Sequence, residues 1–155
     1  MAFNAYLKID GILGESRDRN HKGEIDVLAF SWGISQIGSQ TGGGGGAGKT
    51  QISDFQIVKS LDVASPQLFA AVCSGEHFDE AVFTIETETT RTGRSQGYYK
   101  VTLSEVLISS VVPSGGNGEP TEQVSLNFQK AEIEFQDQRG HSQAATCDAG
   151  KQVIP

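Results

Sequence analysis

Hydrophobic and polar residues alternate with a period of two along most of this chain, a pattern that predicts half-buried strands. From Phe3 to Ile9, Phe3, Ala5, Leu7 and Ile9 share one face, and Asn4, Tyr6 and Lys8 share the other. Asp10 to Gly23 is polar and turn-rich and reads as a surface loop. Ile25 to Ile37 reads as one long strand. Its large face, Leu28, Phe30, Trp32 and Ile34, is expected to meet the core. Its other face carries Ile25, Val27 and Ala29, then shrinks to Ser31, Gly33 and Ser35. Small residues pack poorly, so that face suits a surface, a subunit contact or a lumen wall. Gln51 to Leu61 alternates again, with Phe55, Ile57 and Leu61 in phase. Lys59 shares that phase and is expected to reach water by its long stem.

The period then changes once. Ser65 is the expected N-cap of a helix, with Pro66 at the first helical position and Gly75 as its stop. Leu68, Phe69, Val72 and Cys73 form the expected apolar side, which would plug or cover a sheet. Asp79 to Thr90 returns to strand, with Ala81, Phe83 and Ile85 inward and Val82, Thr84, Glu86 and Glu88 outward. Arg91 to Gly97 reads as a turn.

Two long strands follow, Tyr98 to Val112 and Glu122 to Gln138, joined by the turn-rich Pro113 to Thr121. They predict a hairpin. The apolar phase slips in both strands, from Tyr99, Val101 and Leu103 to Val106, Ile108 and Val112, and from Val124, Leu126 and Phe128 to Ala131, Ile133 and Phe135. Symmetric closure about Asn117 sets Leu103 against Ala131 and Val106 against Phe128. The slips then face one another and no bulge is required, because the ribbon buries one face along its first half and the other along its second. A coiled barrel hairpin does this, and so does one whose far end packs on another subunit. Val106, Ile108 and Val124 are therefore a candidate subunit contact. The polar tail has one candidate strand, Gln143 to Cys147.

Composition bounds the function. The chain has 155 residues, 37% hydrophobic and 20% charged, enough for one domain with a full core spanning 1–155. A net charge of -7 argues against a nucleic-acid partner, which needs a basic surface. No apolar run is long enough to span a bilayer, so membrane insertion is not expected. Met1 to Asp10 shows no basic leader followed by an apolar block, so no secretory signal is expected. Cys73 and Cys147 do not make a disulfide framework, and a reducing cytoplasm is the expected place of folding.

The candidate chemistry is sparse. Gly43 to Thr50 satisfies the phosphate-loop pattern G-x-x-x-x-G-K-[ST]. Such a loop needs a helix after its lysine, with N-terminal amides facing the phosphates. Here Lys49 is followed by TQISDFQIVKSLD, a period-2 pattern, so a nucleotide-binding protein is the lesser alternative. Cys73 and His77 are separated by Gly75, and His21, His77 and His141 are scattered. A buried thiol and surface histidines are expected rather than a metal site. Glu86 and Glu88 read as a solvated strand face, and no serine has the strand-turn-helix setting of a nucleophile. No catalytic residue, metal or cofactor is expected.

Several stretches together resemble the haemolysin-coregulated protein (Hcp) family, the tube protein of bacterial type VI secretion systems. They are Gly14-Glu15-Ser16, His21 to Gly33 (HKGEIDVLAFSWG), the glycines through Lys49, Ser65-Pro66, Cys73-Ser74-Gly75, VLISSV at Val106 to Val111, and PTEQVSLNF at Pro120 to Phe128. The tail after Gln138 departs, since relatives tend to close with an aromatic-containing strand. The resemblance implies a mainly β fold: a β-barrel of two packed antiparallel sheets, one short lateral helix and a long extended glycine-rich loop. It implies a homohexameric ring, with rings stacking into a hollow tube that a contracting sheath expels. The partners implied are further copies of the chain, the sheath, the spike or tip protein, and small effectors held in the lumen. Ser31, with Ala29 and Gly33, matches the lumen-facing block. Gly42, Gly43, Gly44, Gly45, Gly46, Gly48 and Lys49 match the extended assembly loop. The location implied is the bacterial cytoplasm, then the outside of the cell.

Overall fold

A computed structural model describes residues 3–37, 49–87 and 97–148. Its elements are strands β1 (Phe3–Ile9), β2 (Ile25–Val27), β3 (Ala29–Ser31), β4 (Ile34–Ile37), β5 (Lys49–Ile52) and β6 (Phe55–Ser60), and helix α1 (Ala64–Ser74). Strands β7 (His77–Thr87), β8 (Tyr98–Ser114), β9 (Thr121–Asn127), β10 (Lys130–Gln136) and β11 (Ser142–Asp148) follow. Nine strands form one sheet in the order β2-β1-β7-β8-β9-β6-β3, with β10 joined to β8 and β11 to β10. Strands β4 and β5 make a separate ribbon. Every pairing is antiparallel. The two ends of the path, β2 and β3, are separated in the chain by Leu28 alone. The Leu28 N–H donates to the Val58 carbonyl at 2.8 Å, so the curled sheet returns to its own start.

That return explains a departure from the expected long strand. Ile25 and Val27 are buried against β1, but beyond Leu28 the inward residues are Phe30 and Trp32. The chain changes partner at Leu28 and changes phase with it. Leu28 is left 55% exposed, and Ile34 also lies outside. Trp32 is half-buried, 5.4 Å from Phe55 and 6.0 Å from Phe128 between ring centres. Phe30 and Phe55 both lie against Phe83, at 4.8 and 5.0 Å. These rings fill the inside of the curl, and the fully buried Phe55 and Phe83 are each worth about 1.5–3 kcal/mol of burial.

The long hairpin forms, with Leu103 opposite Ala131 and Leu107 opposite Asn127. Its phase slips face one another across the pair, as expected. Glu105 has φ 55, the left-handed region that a side chain disfavours. The register runs unbroken through it, with Ser104 and Val106 opposite Glu80 and Phe78 on β7, and Ser104 and Leu107 opposite Lys130 and Asn127 on the other side, so no residue is inserted. The turned backbone changes the inward phase, and Leu103 and Val106 both point into the core. The partner strand is interrupted between β9 and β10 at the same level. A second irregularity between Ile108 and Ser110 moves the register by one, so Ser114 faces Thr121 at the turn. The buried face changes at the slip with no residue inserted there, as expected, and the register shift lies beyond it, between Ile108 and Ser110.

Helix α1 begins at Ala64, earlier than expected, and its first turn is set by Asp62 and Ser65. The Asp62 carboxylate accepts from the Ala64 N–H at 2.9 Å, and the Ser65 hydroxyl accepts from the Asp62 N–H at 3.0 Å, the reciprocal arrangement of a capping box. Gly75 stops the helix at φ 69, donating to the Ala71 and Val72 carbonyls. The buried side is Ala64, Leu68 and Ala71, whereas Phe69 is 65% exposed and Cys73 is exposed. The helix is therefore rotated from its predicted seat, and the thiol expected inside is outside. Strand β11 forms where the tail strand was expected, on the edge beside β10.

Candidate functional site

The outward sides of the sheet fall into two regions of opposite character. On β1, β7, β8 and β10, cross-strand rows run Asp26–Tyr6–Thr84–Lys100–Glu134 and Lys8–Val82–Thr102–Glu132. These rows carry charge at several positions, and Tyr6 and Thr84 of the first are buried. On β3, β6, β9 and the second half of β8 the rows are Ser31–Gln56–Ser125–Ser110, Ala29–Val58–Gln123–Val112 and Ser60–Thr121–Ser114. None of these residues is charged. Gln123 Nε2 donates to Gln56 Oε1 at 2.9 Å. Asp54 stands at the border, its two oxygens accepting from Ser109 at 2.7 Å and Asn127 at 3.1 Å.

Ser31, Ala29 and Gly33, the residues matched to a lumen block, are all exposed at the β3 end of this uncharged region. Gly33 is braced from β5's end: its N–H donates to Ser53 Oγ at 2.8 Å and its carbonyl accepts from the Ser53 N–H at 2.9 Å. The region owes its neutrality to Lys59 and Glu122, which face each other inward instead. Lys59 is fully buried, contrary to the expectation that its stem would carry the amine to water. Its Nζ lies 2.7 Å from Glu122, 2.8 Å from Asp62 and 3.2 Å from the Ser65 hydroxyl. Three acceptors meet the three ammonium hydrogens, and Ser65 also donates to Glu122 at 3.0 Å.

The other sequence candidates are placed as follows. Val106, Ile108 and Val124 are 0%, 2% and 0% exposed. They belong to the chain's own core, and their side chains have no surface for a subunit contact. The glycines Gly42 to Gly48 lie outside the described residues. Lys49 and Thr50 open strand β5, paired with β4. A strand after the lysine leaves no helix N-terminus for phosphates, which removes the phosphate-loop alternative.

One cluster was not anticipated. His21, expected at the surface, is 9% exposed and stacks on Tyr6 with ring centres 4.3 Å apart. Its Nδ1 is 3.0 Å from Glu24 and its Nε2 is 2.5 Å from Glu86, so Glu86 is a partner rather than a solvated strand residue. Asp18, His21 and Glu86 bring donor atoms within 4.8 Å of one another. Both imidazole nitrogens already face carboxylates at hydrogen-bond distance, so a metal ion would have to displace one of those contacts. The available signal was the His-x-x-Glu spacing, but Glu86 is brought in only by the β1–β7 pairing.

Residues 6–135 match the family described as "Type VI secretion system effector, Hcp". The chain is 45% identical over 143 residues to protein hcp1 of Pseudomonas aeruginosa, covering 90% of this chain and 86% of that one. Among solved structures it is similar to Hcp1 of Salmonella typhimurium, with TM-score 0.79, 31% identity and 97% of each chain covered. It is also similar to a type VI secretion system effector of Yersinia pestis, with TM-score 0.75, 30% identity, and 93% of this chain and 98% of that one covered.

Proposed function

Since this chain belongs to the Hcp family of type VI secretion proteins, we propose that it is a tube subunit, forming hexameric rings that stack into a hollow, expelled tube. The observation that carries this reading is the uncharged face running from Ser31 to Val112. In a chain with a net charge of -7, a broad sheet face without fixed charge is unusual for a surface that meets only water. It suits a lumen wall, which must hold and then release varied polypeptides without long-range attraction or repulsion. Ser31, Ala29 and Gly33 form its cargo-facing edge. The glycine segment from Gly42 to Lys49 acts as an extended arm toward neighbouring subunits or rings. The partners are further copies of the chain, the sheath, the spike or tip protein, and small effectors. The protein folds in the cytoplasm and leaves through the apparatus. Its role is structural, not catalytic.

Two measurements test this. Size-exclusion chromatography with light scattering should give a species near six times 16.5 kDa, whereas a monomer at all concentrations would count heavily against the ring. Ser31→Gln should leave that species intact while reducing retention of a co-expressed effector. Full retention in intact rings would remove Ser31 from the lumen.

A further inference from the structure

The loop between β1 and β2 is a strap with two anchors. At one, the Leu13 N–H donates to Gln67 Oε1 at 2.9 Å, Gln67 Nε2 donates to the Leu13 carbonyl at 3.0 Å, and the Val63 N–H donates to Glu15 at 2.7 Å. These bonds tie the strap to α1. In its middle the strap doubles back, Gly14 donating to the Gly23 carbonyl and Ser16 to the Glu24 carbonyl. At the other anchor His21 lies between Glu24 of the strap and Glu86 of β7, stacked on Tyr6 of β1.

A neutral imidazole has one N–H and one lone pair, so it would set a lone pair against one of these carboxylates. Only the imidazolium donates to both. Among the described residues neither Glu24 nor Glu86 has a lysine or arginine within ion-pair distance, so the imidazolium is their one close cation. We infer that His21 is a proton-operated clamp: protonated, it bridges Glu24 and Glu86 and holds the strap on the sheet; deprotonated, it frees the strap locally while the core stays folded.

The surroundings are consistent with that role. Asp18 of the strap accepts from the Tyr6 hydroxyl at 3.2 Å. Burial, with Asp18 beside it, pushes the Tyr6 phenol up to about 12, so Tyr6 keeps its proton throughout. Asp26 of β2 pairs across from Tyr6, and Lys8 of β1 and Lys100 of β8 share the same outward side. Burial opposes charge on His21, but its bonds to Glu86 and Glu24 outweigh burial and raise it above the usual 6.5. A group raised on folding gives stability that is complete below its unfolded value and disappears as pH rises through the folded one. The clamp is therefore closed below pH 6.5 and opens on the alkaline side.

The test uses the full chain. Proton NMR of the imidazole, assigned with His21→Gln, gives the titration point, and hydrogen exchange corrected for intrinsic rates gives the protection of residues 10–24 and of β8. The expected result is a titration above 6.5 with strap protection falling through it, by about tenfold for each pH unit of elevation, and β8 unchanged. Glu86→Gln should move both events to lower pH, and His21→Gln should leave strap protection low and independent of pH. Titration at or below 6.5, or protection constant through the titration, would overturn the clamp. So would zinc restoring protection at about pH 8, which would make the cluster a metal site.

Discussion

At the residue scale the clearest misreading is Lys59, whose place in the strand phase put it inward while its charge argued for water. The resolution is a partner 63 positions away. Glu122 stands directly across the β6–β9 pair, and Asp62 and Ser65 close the remaining bonds. Breaking such a buried pair by removing one side strands the other charge, at a cost of about 3–5 kcal/mol. Lys59→Met should therefore lower unfolding stability by about that much, read by urea denaturation with Trp32 fluorescence. Lys59→Met combined with Glu122→Leu should recover much of the loss, since an apolar pair needs no counter-charge. Equal loss in the single and double variants would mean that the hydrogen bonds to α1, not the charge pair, hold the site.

At the element scale, period-2 alternation located most strands but did not show where they break. Predicted strand Ile25 to Ile37 is three, and Glu122 to Gln138 is two. For Glu122 to Gln138 the phase slip was visible as a sequence pattern, and it lies opposite the left-handed turn at Glu105. For Ile25 to Ile37 the change of partner and phase at Leu28 was not anticipated. Glu105 is exposed and has no apolar role, yet it holds a left-handed backbone. Glycine removes that strain, of about 1 kcal/mol, and part of the gain is offset by the freer unfolded chain. Glu105→Gly should be neutral or modestly stabilising in urea. Glu105→Val, β-branched and intolerant of positive φ, should cost more than about 1 kcal/mol. Equal stability of the two variants would mean that the left-handed backbone at Glu105 stores no strain.

At the scale of the whole molecule, what the chain leaves exposed matters most. Ile85, Tyr99 and Phe135 form an inward-phase row at the open end of the sheet, with Phe3 next in phase. Ile85, Tyr99 and Phe135 border an apolar cleft of about 310 Å³, and Phe3 and Phe135 are 45% and 54% exposed. Among the described residues nothing buries Phe3 and Phe135, whereas Val106, Ile108 and Val124 are enclosed in the core. On the ring reading, Phe135→Asp should leave the far-UV spectrum unchanged while shifting the light-scattering mass toward 16.5 kDa. An unchanged assembly would place the subunit contact elsewhere.

The sequence by itself determined the class of the fold, the helix with its glycine stop, the Leu103–Ala131 register, and the family. Each rests on local periodicity or on contiguous motifs, which need no knowledge of distant residues. The tertiary structure alone decided that Lys59 and Glu122 neutralise one another inside, that His21 meets Glu86, and that Val106, Ile108 and Val124 are spent on the core. It also decided that the face around Ser31 is free of charge. Those outcomes depend on which strand lies beside which. Pairing across the sheet sets the neighbours of every side chain, and the alternation within one strand carries no record of them.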